Sequence, residues 1–247
     1  MSGYPLRRGG TSIGMKIRRL ARAAAAAVFG VTAAVMGGVA PSASAQPCPD
    51  VDVVFARGTG EAPGVGGVGQ AFVDAVRAQA AGRTVGVYAV NYPAGDNFSD
   101  RTAFASTVVD GIRDAADHVQ AVAATCPDTR IVLGGYSQGA VVAGFVTSAQ
   151  VPDGIPVESV PAPMPPEVAD HVAAVVLFAL PSEEFLRQFG APAVTIGPRY
   201  ADKTLALCAS GDTICSGAPG GGPNLAHALY GLNGSVNEAA AYVVSRL

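Results

Sequence analysis

Residues 134–140 read GGYSQGA, which places Ser137 in the pattern G-x-S-x-G. The apolar residues before it (130–133, RIVL) predict a strand, and residues 138–147 predict a helix. A serine on such a strand-to-helix turn stands at the edge of a sheet, where it can act as a nucleophile. The same five-residue pattern also occurs in ordinary glycine-rich loops. The prediction therefore requires a base, an orienting carboxylate and oxyanion donors elsewhere in the chain.

The candidates for the base are the three histidines of the chain, His118, His171 and His227. His118 falls inside a predicted helix, where a histidine on the helix surface is the ordinary interpretation. His171 precedes a predicted strand, which places it at the end of the sheet away from an active site. His227 closes the Gly/Pro-rich segment 217–227 ahead of the last helix, where the base of such an arrangement is found. We therefore predict that His227 is the base.

The orienting carboxylate should lie between Ser137 and His227 and should follow a strand. Asp212 follows the predicted strand 204–208, whereas its rival Asp202 precedes that strand. A serine, an aspartate and a histidine in this chain order are typical of the α/β-hydrolases. The sequence thus predicts a triad of Ser137, Asp212 and His227.

Two backbone N–H groups are candidate oxyanion donors, that of Gln138 and that of Thr59, whose hydroxyl could add to it. Thr59 lies in a loop that also suggests a second interpretation, because Gly58-Thr59-Gly60 resembles the start of a dinucleotide fingerprint. However, Pro63 stands where G-x-G-x-x-G requires its third glycine, and the segment has no lysine for a phosphate loop. We therefore expect no cofactor.

The elements that would position these residues alternate along the chain. Strands are predicted at 51–56, 84–90, 130–133, 173–179 and 204–208, and helices at 70–80, 103–124 and 138–147. A last helix is predicted to open with a capping box at 235–238. This alternation implies an α/β fold with a mainly parallel sheet covered on both faces. The proline-rich residues 150–166 interrupt it and predict a surface loop.

The first 45 residues have the layout of a secretory signal peptide. Six Lys and Arg residues, the last of them Arg22, precede an Ala-rich run at 23–39, and residues 1–45 contain no acidic residue. Ala43-Ser44-Ala45 supplies a cleavage site. The run is too short and too rich in Ala and Gly for a membrane anchor. We therefore predict a signal peptide at 1–45, with Met15 as an alternative start, and a secreted domain at 46–247. The pair Arg18-Arg19 leaves the export route open.

The predicted secreted domain is acidic and contains all four cysteines. Its 19 Asp and Glu against 10 Lys and Arg give a net charge of −9, which argues against binding to nucleic acid. An even cysteine count in an exported protein predicts two disulfides. Cys208 and Cys215 are close in sequence, which favours a bond between them and leaves Cys48 with Cys126. A metal site is not expected, because there is no C-x-x-C motif and no nearby histidine pair.

Taken together, these segments resemble the cutinase family of serine esterases, in particular its secreted mycobacterial members. The resemblance rests on FARGT at 55–59, GYSQG at 135–139, the Cys208–Cys215 loop around an aspartate, and His227 followed by Tyr230-Gly231. It implies a five-stranded α/β-hydrolase three-layer sandwich with two disulfides, no metal and no separate lid domain. It also implies that the predicted triad is catalytic and that Thr59 and Gln138 form the oxyanion hole.

We therefore predict a secreted, monomeric serine esterase that hydrolyses carboxylic esters of fatty acids. Its acyl group should lie in a shallow apolar groove between the loops 92–102 and 217–225. One alternative is hydrolysis of envelope lipids, namely phospholipids or mycolic esters of trehalose. Another is a non-catalytic secreted binding protein. The expected partner is a lipid or ester substrate, with no nucleic acid and no stable membrane insertion after the signal peptide is removed.

Overall fold

The computed structural model describes residues 47–247, so the predicted signal peptide at 1–45 lies outside the described residues. The described part forms one five-stranded sheet in which every neighbouring pair is parallel, in the order β2-β1-β3-β4-β5. Its strands are β1 (Val51–Ala56), β2 (Val85–Ala89), β3 (Arg130–Tyr136), β4 (Val172–Phe178) and β5 (Thr204–Leu207). The predicted α/β architecture with a parallel sheet is confirmed.

Helices cover both faces of the sheet and complete a three-layer sandwich. The helices are α1 (Gly66–Gln79), α2 (Arg101–Thr125), α3 (Gln138–Val146), α4 (Glu183–Gln188), α5 (Leu225–Ala228) and α6 (Ser235–Val244). On one face α1 and α6 bury Phe55, and on the other face α2 and α3 bury its neighbour Val54. Successive side chains of a strand point to opposite faces, so the apolar run of β1 serves both cores.

Helix α1 begins earlier than its sequence predicts. The glycine-rich residues before Gln70 were expected to form a loop, but α1 already begins at Gly66. Gly69 lies so close to the ring of Phe55 that a Cβ there would be 2.6 Å from a ring carbon. The glycines at the start of α1 therefore allow close packing of the helix on the sheet, and they do not mark a loop.

The predicted capping box at the start of the last helix is wrong. Ser235 is the first residue of α6, and its side chain caps nothing within the described residues. The preceding Gly234 has a φ of 95°, a left-handed conformation that glycine adopts readily. The N–H of Ser235 donates instead to Oδ1 of Asn233 at 3.0 Å. The turn before the helix, and not a serine cap, sets where α6 begins.

Both expected disulfides are present in the described part of the chain. Cys48–Cys126 joins the segment before β1 to the end of α2, and Cys208–Cys215 closes the loop after β5. Residues 150–165 are irregular apart from one 3₁₀ turn at Val157–Ser159, as predicted for a loop. Among residues 47–247, no helix has the length and apolar character needed to cross a membrane.

Candidate active site

Ser137 stands on a tight turn between the end of β3 and the start of α3. Its backbone has φ 55° and ψ −115°, which is unusual for a residue other than glycine. A Cβ at Gly135 would overlap the carbonyl oxygen of Gly139, and one at Gly139 would overlap that of Ala56. Both glycines of G-x-S-x-G are therefore required by close backbone packing around the turn, as the motif predicts.

His227 links Ser137 to Asp212 by two hydrogen bonds. Its Nε2 lies 3.0 Å from Oγ of Ser137, and its Nδ1 lies 3.0 Å from Oδ2 of Asp212. Asp212 has no exposed surface and His227 is 7% exposed. Because Asp212 holds the Nδ1–H, Nε2 of a neutral His227 is free to accept the serine proton. The three residues predicted from the sequence thus meet in one hydrogen-bonded chain.

Three donors converge on the buried carboxylate of Asp212. Oδ2 accepts from the hydroxyl of Tyr230 at 2.8 Å in addition to His227, and Oδ1 accepts from the N–H of Ile214 at 2.9 Å. Burial alone would raise the pKa of Asp212, but the hydrogen bonds from His227, Tyr230 and Ile214 outweigh it and hold the pKa below its ordinary value. The carboxylate is therefore ionised at neutral pH.

Two side chains hold the backbone of His227 in place. Oδ1 of Asn224 accepts the N–H of His227 at 3.0 Å and caps the short helix α5. The hydroxyl of Tyr136 donates to the carbonyl oxygen of His227 at 2.7 Å. Burial and the charges of Glu61 and Asp212 raise the pKa of Tyr136 to about 12, so this hydroxyl keeps its proton. Asn224, three residues before His227, is a sequence signal for the start of a helix, but no helix was predicted there.

The loop after β1 places Thr59 beside the serine turn. Thr59, Ser137 and Gln138 line the same cleft. Within residues 47–247, the N–H groups of Thr59 and Gln138 donate to no other protein group. Two unpaired N–H groups beside a nucleophile can receive a developing oxyanion. The structure thus brings together all five site residues that the sequence singled out.

Arg57 and Glu61, to which the sequence analysis gave no role, fix the shape of this loop. The buried guanidinium of Arg57 donates to the carbonyl oxygens of Glu61 at 2.8 Å and Tyr92 at 2.7 Å. The carboxylate of Glu61 accepts the N–H of Gly58 at 2.6 Å and that of Gly67 in the first turn of α1 at 2.7 Å. Glu61 therefore ties the Thr59 loop to the positive end of a helix.

The rejected candidates lie elsewhere in the fold. His118 is not the plain surface histidine that was expected, because its Nε2 lies 2.7 Å from Oδ2 of Asp52 and its ring stacks on Tyr88. His171 precedes β4 and contacts the carbonyl oxygen of Pro127, and Asp202 lies in a 3₁₀ turn before β5. Across residues 47–247, no cluster of three or more His, Cys, Asp and Glu side chains could hold a metal ion.

Ser137 opens into a cleft of about 1320 Å³, above the roughly 300–1000 Å³ typical of small-molecule sites. Phe98 and Pro223, from the two loops between which a groove was expected, do line it. The cleft is larger than the expected groove, because residues of α2 and of the proline-rich segment 150–164 also line it. No local sequence pattern indicates that this segment forms part of the cleft.

Comparison with known sequences places this site in a family. The sequence model of the cutinase family matches residues 47–247, which is the whole part that the structure describes. The chain belongs to the cutinase family. This single family domain contains the glycine-flanked Ser137, the disulfide loop around Asp212, and His227.

Curated relatives and solved structures agree with this membership. The chain is 57% identical over 169 residues to the probable carboxylesterase Culp7 of Mycobacterium tuberculosis, covering 68% of this chain and 88% of the relative. It is 46% identical over 231 residues to the carboxylesterase Culp1 of the same organism, covering 93% and 95%. A Trichoderma reesei cutinase in complex with a phosphonate inhibitor is similar in structure, with a TM-score of 0.60 and 32% identity over 81% of this chain and 77% of that one.

Proposed function

We propose that the protein is a serine esterase that hydrolyses carboxylic esters of fatty acids, with Ser137 as nucleophile. The observation that carries this proposal is the hydrogen-bonded chain from Ser137 through His227 to the buried Asp212, of which Ser137 and His227 line a mainly apolar cleft. The carboxylesterases named among the relatives support the same reaction class. Neither a metal nor a cofactor is required by this chemistry.

In the first half of the reaction, Oγ of Ser137 attacks the ester carbonyl carbon while Nε2 of His227 takes the hydroxyl proton. The carbonyl oxygen becomes an oxyanion that the N–H groups of Thr59 and Gln138 receive. Loss of one such donor typically costs about 2.7–4 kcal/mol of transition-state stabilisation. The tetrahedral intermediate then expels the alcohol, which leaves with the proton from His227, and an acyl group stays on Ser137.

Water completes the cycle by the same route in reverse. His227 takes a proton from a water molecule, the resulting hydroxide attacks the acyl carbon, and the carboxylic acid leaves as Oγ of Ser137 regains its proton. Asp212 stays ionised throughout, and its charge stabilises the imidazolium that forms twice in each turnover. The residues that hold Asp212, Tyr230 and the N–H of Ile214, therefore act on both halves of the reaction.

Export from the cell is part of the proposal. The basic start, the Ala-rich run and the Ala43-Ser44-Ala45 site of residues 1–45 support secretion. Two disulfides fit an oxidising compartment, in which such bonds persist. Culture of cells that express the whole chain, followed by N-terminal sequencing of the protein in the medium, would test this. A protein that is retained in the cell with residues 1–45 intact would contradict it.

The esterase proposal is tested by Ser137→Ala with p-nitrophenyl butyrate as substrate. Hydrolysis should fall by at least a factor of about 10⁴, since loss of a triad member leaves only binding and the oxyanion hole. The matched control is Ser245→Ala at the end of α6, remote from the cleft, which should hydrolyse the ester at the parental rate. Parental turnover by a folded Ser137→Ala protein would contradict the proposal and would favour the non-catalytic alternative.

Envelope lipids stay a second candidate, because a phospholipid or a trehalose mycolate presents a long acyl ester to the same cleft. A phospholipid differs from a simple fatty-acid ester in the alcohol that leaves, and a trehalose mycolate differs in its branched acyl group as well. Initial rates on a simple ester, a phosphatidylcholine and a trehalose ester that share one acyl chain would separate them. A rate on either lipid well above that on the simple ester would assign the protein to that lipid class.

A further inference from the structure

Two helices contribute apolar side chains to the cleft beside Ser137, and the charged Arg101, Asp110 and Arg113 of α2 also line it. On one side α2 contributes Phe104, Val108, Ile112 and Ala116, which are spaced four residues apart and therefore share one helix face. On a second side α3 contributes Val141 and Phe145. The same cleft includes Ser137 and His227, so anything that lies against these walls is continuous with the site of acyl transfer.

The length of the α2 wall sets the length of the occupant. Phe104 to Ala116 spans twelve residues, which at about 1.5 Å each is roughly 18 Å of helix. Carbon–carbon bonds of about 1.5 Å in an extended zigzag advance about 1.25 Å per carbon, so the wall matches an acyl chain of about fourteen carbons. A short acyl group such as acetate would leave most of this apolar surface uncovered.

The outer wall comes from residues 150–164, the segment that interrupts the alternation of strands and helices. Its prolines, among them Pro152, Pro156, Pro161 and Pro163, line the cleft together with Val160. Proline has no backbone N–H, so a chain that covers these positions buries no unpaired donor there. Gln150 and Ser159 of the same segment also line the cleft, but its proline and aliphatic residues make this wall mainly apolar, which suits a hydrocarbon chain.

We infer that the cleft binds one extended acyl chain of about fourteen carbons between α2 and residues 150–164, and that it selects long-chain esters over short ones. This inference rests on the proposed function, because it places the carbonyl carbon of that chain at Ser137. The segment 150–164 is then a specificity element. Its side chains contact the chain of the substrate and take no part in the chemistry.

The test uses p-nitrophenyl alkylphosphonates, which label an active serine covalently, with butyl and dodecyl chains at concentrations below micelle formation. The measured quantity is the second-order rate constant of labelling, read from the intact mass of the whole protein. Burial of only two methylenes at ~0.8 kcal/mol each corresponds to about fifteenfold. The dodecyl reagent carries eight more methylenes than the butyl reagent, so it should react at least tenfold faster.

Two substitutions on opposite walls locate the chain. Ile112→Trp on α2 and Val160→Trp on the outer wall should each lower the dodecyl-to-butyl ratio at least fivefold. Val87→Trp is the matched control, since Val87 is 37% exposed on the edge strand β2 and does not line the cleft. This control should keep the parental ratio. Each ratio is measured within one protein sample, so a partly unfolded variant does not distort it.

The outcomes separate this inference from the proposed function. Equal rates with both reagents in the parental protein, or a ratio that survives both cleft substitutions, would overturn the inference and leave the esterase proposal standing. Failure of both reagents to label Ser137 would instead overturn the esterase proposal itself. A ratio that also falls in Val87→Trp would overturn the assignment of the long-chain preference to the cleft walls.

Discussion

Removal of the Tyr230 hydroxyl tests how the buried carboxylate of the triad is held. Tyr230 is fully buried, its hydroxyl donates to Asp212 at 2.8 Å, and it accepts the N–H of Ala209 at 2.7 Å. Burial, together with the hydrogen bond to and charge of Asp212, raises the pKa of Tyr230 above its ordinary range, so it is a donor at every working pH. Tyr230→Phe removes one donor from a carboxylate and leaves one buried N–H unpaired.

The expected loss is worked from these two bonds. A hydrogen bond to a charged group contributes about 1.5–3 kcal/mol, and an unpaired buried donor costs about 1–3 kcal/mol. We expect the free energy of unfolding to fall by about 3 kcal/mol at pH 7. For a domain of this size that corresponds to a melting temperature lower by about 6–12 °C. Catalysis should fall as well, because Asp212 is less well fixed against His227.

The pH dependence has a definite sign. The pKa of Asp212 is lowered in the folded protein, so the bonds responsible stabilise the fold above the ordinary value of 3.8 and lose that effect as the pH falls through the lower folded pKa. The decrease in the free energy of unfolding caused by Tyr230→Phe should therefore be largest at pH 7. In acid it should shrink toward the part that the unpaired N–H of Ala209 causes.

Urea unfolding of the parental protein and the variant over a range of pH measures this cost. Tyr200→Phe is the matched control, because Tyr200 is 7% exposed and its hydroxyl makes no hydrogen bond to residues 47–247. It should lose much less stability than Tyr230→Phe. A cost below about 0.5 kcal/mol for Tyr230→Phe at pH 7, or a cost that grows as the pH falls, would refute the reasoning.

Two further predictions concern the loops around the site. Glu61→Gln leaves only one acceptor oxygen for the N–H groups of Gly58 and Gly67. We therefore expect kcat to fall at least tenfold with little change in KM. An unchanged kcat in steady-state assays would contradict a positioning role for Glu61. Replacing Cys208 and Cys215 together by serine should lower the free energy of unfolding by about 2–4 kcal/mol and should lower kcat; parental values of both in calorimetry and kinetics would contradict a structural role for this disulfide.

The site residues could be predicted because each has a local signal. Ser137 lies in a glycine-flanked turn after a strand. His227 remained as the candidate base because the predicted elements around His118 and His171 argued against those two histidines. Asp212 follows a strand inside a cysteine-bracketed loop. In a parallel sheet the ends of strands meet at one edge, so chain order and strand position are enough to bring these residues together.

Residues that act through distant contacts gave no signal of their roles, although Tyr230 contributed to the family resemblance. Tyr230 lies 18 residues from Asp212, and Tyr136 reaches His227 across 91 positions. Glu61 acts on a helix start that was itself predicted four residues too late. Residues 150–164 line the cleft together with α2, which is a tertiary arrangement that no sequence periodicity indicates. The sequence thus indicates which groups react, and the fold shows what holds them.

The most direct test of the central claim is to locate the acyl group during turnover. The protein is mixed with p-nitrophenyl butyrate, quenched in acid within milliseconds, digested and analysed by peptide mass spectrometry. We predict a butyryl group on the peptide that contains Ser137, at the serine itself, and its absence in Ser137→Ala. A butyryl group on another residue that turns over at the rate of hydrolysis, with Ser137 unmodified, would contradict the account.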